Sequence, residues 1–84
     1  MSKNKIKLTA KDKDFLTMLN TEPVSTGGVV AKSNKARLTR LANRRLVEIL
    51  FGNEAGKVNS KWLLSGNTAY WCPSSLGVAV LMEN

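Results

Sequence analysis

The spacing of apolar positions changes along the chain and divides it into segments. Phe15, Leu16, Met18 and Leu19 recur at helical spacing and predict a first helix from about Ala10 to Asn20. Thr9 precedes it as an N-cap, and Asp12 places an acid in the first turn, where the helix dipole favours one. Pro23 closes the connection that follows. A short second helix is predicted through Val29, Val30 and Ala31, capped by Ser25 or Thr26. Gly27 and Gly28 weaken it by about 1 kcal/mol each relative to Ala. Ser33 and Asn34 form a break, and either can cap a third helix from about Lys35 to Arg45. On that helix Leu38, Leu41 and Ala42 fall on one side, and Ala36, Arg40, Asn43 and Arg44 on the other.

After Arg45 the helical period ends. Leu46 to Phe51 is β-prone and too densely apolar for a solvent-facing ribbon. Gly52 to Ser60 has a loop composition. Lys61–Leu64 and Thr68–Cys72 flank Ser65-Gly66-Asn67, a turn signal between two expected strands, and Pro73 ends the second. Ser74 or Ser75 caps a last segment, Leu76 to Met82, read as a helix despite Gly77, Val78 and Val80. Residues 1 to 8 alternate Lys3, Lys5 and Lys7 with Asn4, Ile6 and Leu8, the pattern of a short basic arm, and the same alternation suits an edge strand. Residues 9 to 84 form the domain.

Composition narrows the function. A chain of 84 residues makes one domain with a thin core. It is 43% apolar and 23% charged, a soluble globular profile. Its 13 basic and 6 acidic residues give a net charge of +7, which favours nucleic acid or another acidic surface as partner. There is no histidine, no cysteine pair and no glycine-rich phosphate loop. The usual His and Cys metal sites are therefore excluded, and an enzyme or a cofactor has no support. Asp12 and Asp14 are two apart, do not share a helix face and make a poor catalytic pair. Cys72 is a lone cysteine and reads as a small buried apolar residue. Trp62, Tyr70 and Trp71 suit either a single-strand stacking platform or core packing, and so small a domain favours packing. No apolar run is long enough to span a membrane, and the N-terminus lacks the apolar stretch of a signal peptide, so the expected location is the cytoplasm.

Residues 32 to 46 carry the sharpest signal. They hold six of the thirteen basic residues and no acid. Such a helix docks its apolar side on a core and offers a cationic, donor-rich side to a polyanion. A major groove needs that arrangement, and a merely solvated basic face shares it. By chemistry, Arg37 and Arg40 suit guanine, and Asn34 and Asn43 suit adenine. Lys32, Lys35 and Arg44 are better placed for phosphate.

Arg37-Leu38-Thr39-Arg40-Leu41-Ala42-Asn43-Arg44-Arg45-Leu46-Val47-Glu48 is similar to the pattern R-L-x-R-L-x-x-x-G-L-V-E, and Tyr70-Trp71-Cys72-Pro73-Ser74-Ser75-Leu76-Gly77 resembles Y-x-L-T-x-x-G. Both patterns belong to the winged helix-turn-helix superfamily of DNA-binding domains. The resemblance spans about residues 9 to 82. It implies an α+β fold with a three-helix helix-turn-helix core, a β-hairpin wing and a short C-terminal helix. It also implies that the third helix enters the major groove. Ser33, Asn34, Lys35, Arg37, Arg40 and Arg44 occupy the positions that face DNA in the family, and Lys57 and Lys61 fall in the wing. The chain departs from the pattern at Arg45, where glycine usually ends the recognition helix, and in the long stretch from Gly52 to Asn67, which leaves room for an extra strand at Lys61 to Leu64.

The expected function is sequence-specific binding of double-stranded DNA by a small transcriptional regulator. Its brevity fits a phage or other mobile element. The alternative is a winged-helix interaction module that sets the same basic face against an acidic protein surface, such as an inhibitor of a host nucleoprotein complex. Leu76, Val78, Val80, Leu81 and Met82 would supply the apolar patch of a homodimer through the C-terminal segment.

Overall fold

Thr9 starts the first helix as the sequence predicts: its hydroxyl accepts the backbone N–H of Asp12 at 3.1 Å. This helix, α1, spans Ala10–Thr21 in the computed structural model, which describes residues 7–83. The order that follows is β1 (Val24–Ser25), α2 (Val29–Ser33), α3 (Lys35–Asn43), β2 (Val47–Phe51), α4 (Gly52–Val58), β3 (Ala69–Pro73) and α5 (Ser75–Glu83). The described residues thus form an α+β fold of five helices and one three-stranded antiparallel sheet, ordered β1-β3-β2. Residues 1 to 6 of the expected basic arm lie outside the described residues.

Side-chain alternation along the sheet explains its two-sided packing. Val24, Val47 and Trp71 turn to one side and join the main core of Phe15, Leu16, Leu19, Ala31, Leu38, Leu41, Leu46 and Val80. Leu50, Tyr70 and Cys72 turn to the other and meet Ala55 and Trp62. Pro73 stands opposite Val47 at the end of the β2–β3 ladder. The backbone bond from Ser74 N–H to the Leu46 carbonyl marks the neighbouring pair as hydrogen-bonded. Val47 and Pro73 are then a non-hydrogen-bonded pair, and the missing N–H of proline costs the ladder nothing.

Two segments differ from the sequence expectation. Gly52–Val58 is a helix and not a loop. Its composition is poor for a helix, but Ala55 is fully buried, and Gly52 sits so close to the Ser65 carbonyl that a Cβ there would collide with it. Tertiary packing overrides the local preference. Lys61–Leu64 is not a strand, because Trp62 turns inward and donates its indole N–H to the Asn20 carbonyl at 2.9 Å. β3 pairs instead with β2 on one side and β1 on the other, and residues 52–68 are a long connection between β2 and β3. The expected C-terminal helix is present as α5, and it packs inward: Val80 is fully buried, and Leu76 and Leu81 lie against the core. Of the five residues expected to form a dimer patch, Met82 alone is largely exposed.

At Arg45 the backbone is left-handed, with φ of 61°. It follows α3 where the resembling pattern has glycine, and the chain keeps the turn with a side chain that disfavours it.

Candidate nucleic-acid interface

Leu38 and Leu41 seat α3 on the core, with 1% and 0% of their surface exposed. The helix rotation this fixes turns Lys35, Ala36, Thr39, Arg40 and Asn43 outward, where they line a shallow open surface. Lys32, at the end of α2, is exposed beside it. No acid lies on α2 or α3. Lys32 and Lys35 also rim a groove floored by Leu38, Ile49 and Trp71, where α3 meets the sheet.

The arginines are more constrained than the sequence suggests. Asp12 of α1 is 2% exposed, and its Oδ1 accepts from Arg40 Nη2 at 2.9 Å and from Arg37 Nε at 3.1 Å. Arg37 also donates from Nη1 to Asn34 Oδ1 at 3.1 Å, and its guanidinium lies 5.9 Å from the centre of the Phe15 ring. It is therefore a packed strut between α1 and α3. Arg40 is 53% exposed and keeps donors free toward solvent. Burial works to raise the carboxyl pKa of Asp12. Hydrogen bonds and charge from Arg40 and then Arg37 outweigh it and hold the group below its usual 3.8.

The other candidates divide in the same way. Asn34 donates from Nδ2 to the Val30 carbonyl at 2.8 Å while its oxygen takes the Arg37 bond, so its amide is occupied at both ends. Arg44 reaches back to the Lys7 carbonyl at 3.0 Å. Ser33 and Asn43 are exposed. Lys57 lies on α4 and Lys61 in the turn after it. Because α4 covers the sheet face opposite the main core, the fold does not bring these two lysines together with the α3 cluster. No local signal marks Asp12 as the ion-pair centre, since its partners come from a helix 25 and 28 residues later.

Trp62 is buried, and Tyr70 and Trp71 are half-buried against the two clusters, so the three aromatics pack and form no exposed stacking platform. Cys72 is fully buried, and desolvation, with the charge of Glu48, pushes its thiol up to about 11. Among the described residues no group of three or more His, Cys, Asp or Glu is placed to hold a metal ion, and no helix is long and apolar enough to cross a membrane. No family model matches this chain, and no curated protein or solved structure matches it either.

Proposed function

We propose that this chain is a winged-helix protein that binds double-stranded DNA in the cytoplasm and acts as a small transcriptional regulator. The observation that carries the reading is the outward face of α3. It presents Lys35, Arg40, Thr39 and Asn43 around the small Ala36, with Lys32 alongside and no acid on the helix surface. A cationic face with a small residue at its centre lets the helix axis approach base edges closely. The order helix, short strand, helix, helix, β2, β3 agrees with the resemblance in the sequence, with β2 and β3 as the wing and α4 as an insertion in it. Within the face, Lys32 and Lys35 take phosphates. Arg40, Thr39 and Asn43 take base edges. Arg37 and Asn34 hold the helix in place and leave the reading set.

The test is a gel shift with duplex DNA over a series of salt concentrations. Each phosphate that a lysine or arginine of this face neutralises adds roughly −0.9 to the log–log slope, so binding should weaken steadily as salt rises. A flat salt response, or no shift with any duplex, overturns the reading and leaves an acidic protein surface as the partner of this face.

A further inference from the structure

Four elements converge on the groove beside α3. Its walls come from α2 and α3 on one side and from β2 and β3 on the other. Leu38, Ile49 and Trp71 floor it, Lys32 and Lys35 stand at its rim, and its volume is about 350 Å³. The pairing of the strands explains the apolar floor. Ile49 lies opposite Trp71 in the β2–β3 ladder and shares a sheet face with Val47. Val47 is buried in the main core, but Ile49 is 53% exposed. The core face of the sheet therefore runs on past the cover of α3. Lys32 and Lys35 are exposed, and among the described residues no carboxylate pairs with either, the ion pairs there being those of Asp12 with Arg37 and Arg40. A second groove of similar volume, beside Trp62 and Val78, is lined by no charged residue. Of the two, the α3 groove alone joins an uncovered apolar floor to unpaired cations.

We propose that this groove binds a small organic anion with a flat apolar body, of the aromatic carboxylate class. The body rests on Ile49 and the half-buried Trp71 ring and completes the uncovered face of the sheet. The carboxylate accepts hydrogen bonds from the ammonium groups of Lys32 and Lys35 at the rim. Each half of the ligand answers a different feature of the groove. A free phosphate takes the lysines and leaves the apolar floor in water. An uncharged apolar molecule covers the floor and leaves both ammonium groups unpaired. The volume suits a body of one or two rings and is too small to seat a partner helix about 10–12 Å across. Lys32 and Lys35 also belong to the cationic surface of α3, so an occupied groove withdraws positive charge from it. The binding itself stands whether or not that surface meets DNA.

The experiment titrates cinnamate into the isotope-labelled full chain without DNA and follows side-chain NMR signals. The Leu38 and Ile49 methyls and the Trp71 indole are expected to shift together and saturate, while Trp62 and Val78 beside the uncharged groove stay in place. Cinnamyl alcohol keeps the body without the charge, and acetate keeps the charge without the body. Each is expected to bind at least about tenfold more weakly than cinnamate. A double variant, Lys32→Met with Lys35→Met, keeps the long apolar stems and the circular dichroism spectrum of the wild type. It is expected to lose about tenfold in affinity for cinnamate and nothing for cinnamyl alcohol. Ile49→Thr keeps a β-branched residue in the strand and is expected to weaken both ligands. A titration without saturable shifts at Ile49 and Trp71 overturns the proposal. So does an alcohol or an acetate that binds as tightly as cinnamate, or a cinnamate affinity that survives unchanged in the double variant.

Discussion

Asp12 and Arg40 join α1 to α3 through a 2.9 Å contact between Oδ1 and Nη2, and the same oxygen holds Nε of Arg37. A buried acid beneath a basic helix fixes the rotation of that helix relative to α1. It also withdraws part of the positive charge that composition alone assigns to α3.

Removing Asp12 leaves two guanidinium groups without their acceptor. Asp12→Ala is expected to cost about 1–3 kcal/mol, less than breaking a fully buried pair, because Arg40 is half exposed. The acid dependence has a definite sign. The carboxyl pKa is held below 3.8 in the folded chain, so folding favours the ionised form. That contribution is complete above 3.8 and fades as pH falls through the lower folded value. Urea melts in this acid window should show stability dropping in the wild type and a shallower drop in Asp12→Asn. Parallel curves would remove Asp12 from the account.

Arg45 holds φ at 61°, a region that glycine enters without cost. Its backbone bonds, N–H to the Ala42 carbonyl and carbonyl to Ser74 Oγ, do not require a side chain. Arg45→Gly is therefore expected to stabilise by about 0.5–1 kcal/mol. The relief of left-handed strain exceeds the added freedom of the unfolded chain. A thermal melt should rise by a few degrees, roughly 4–8 °C per kcal/mol for a domain of this size. A lower melting temperature would mean that the guanidinium of Arg45 makes a stabilising contact.

Leu41 is fully buried within the cluster that holds Phe15, Leu16 and Leu19. Leu41→Ala should cost about 2–5 kcal/mol through lost contacts and a cavity. That is a large share of the stability of a small domain, so the variant should be substantially unfolded at physiological temperature. Circular dichroism melts report it directly.

On DNA, Arg37 and Asn43 should separate. Arg37→Ala removes the strut on Asp12 and Phe15, so it should lower the melting temperature and leave site preference intact. Asn43→Ala should leave the melt unchanged and cost about 1–3 kcal/mol of discrimination at one base pair. Arg40→Ala should do both, since its guanidinium holds Asp12 and remains half exposed. Lys57→Ala should change little, because α4 lies on the far side of the sheet. If Arg37→Ala alters site preference in a fully folded protein, the side chain leaves Asp12 to reach DNA.

Much of the frame was legible because it rests on local rules. Thr9 caps α1, the Leu38 and Leu41 spacing seats α3, and the left-handed residue comes where the pattern has glycine. What was missed depends on contacts distant in sequence. The stretch Gly-Asn-Glu-Ala-Gly-Lys-Val reads as loop, and only the burial of Ala55 and the close approach of Gly52 to Ser65 make it a helix. The two residues of β1 are too few for alternation to register. Asp12 reads as a first-turn acid, and nothing local shows that Arg37 and Arg40 converge on it. The candidate site was accordingly legible as a helix face. Which cations on that face are free was not legible.

Gly77 and Gly56 provide a paired test of these packing statements. Both lie in helices, where propensity alone favours alanine over glycine by about 1 kcal/mol. At Gly77, however, a Cβ would collide with the backbone carbonyl of Leu46. That oxygen already accepts from Ser74 N–H at 2.9 Å and cannot turn aside as a side chain would. Gly77→Ala should push α5 off the start of β2 and destabilise by about 1–3 kcal/mol or more, against the propensity. At Gly56 a Cβ would meet nothing within 4 Å, so Gly56→Ala should stabilise by about 0.5–1 kcal/mol. Chemical denaturation of the two variants beside the wild type decides the matter by sign. If both alanines stabilise, α5 does not rest on the Leu46 carbonyl, and the seat of Val80 in the main core must be redrawn.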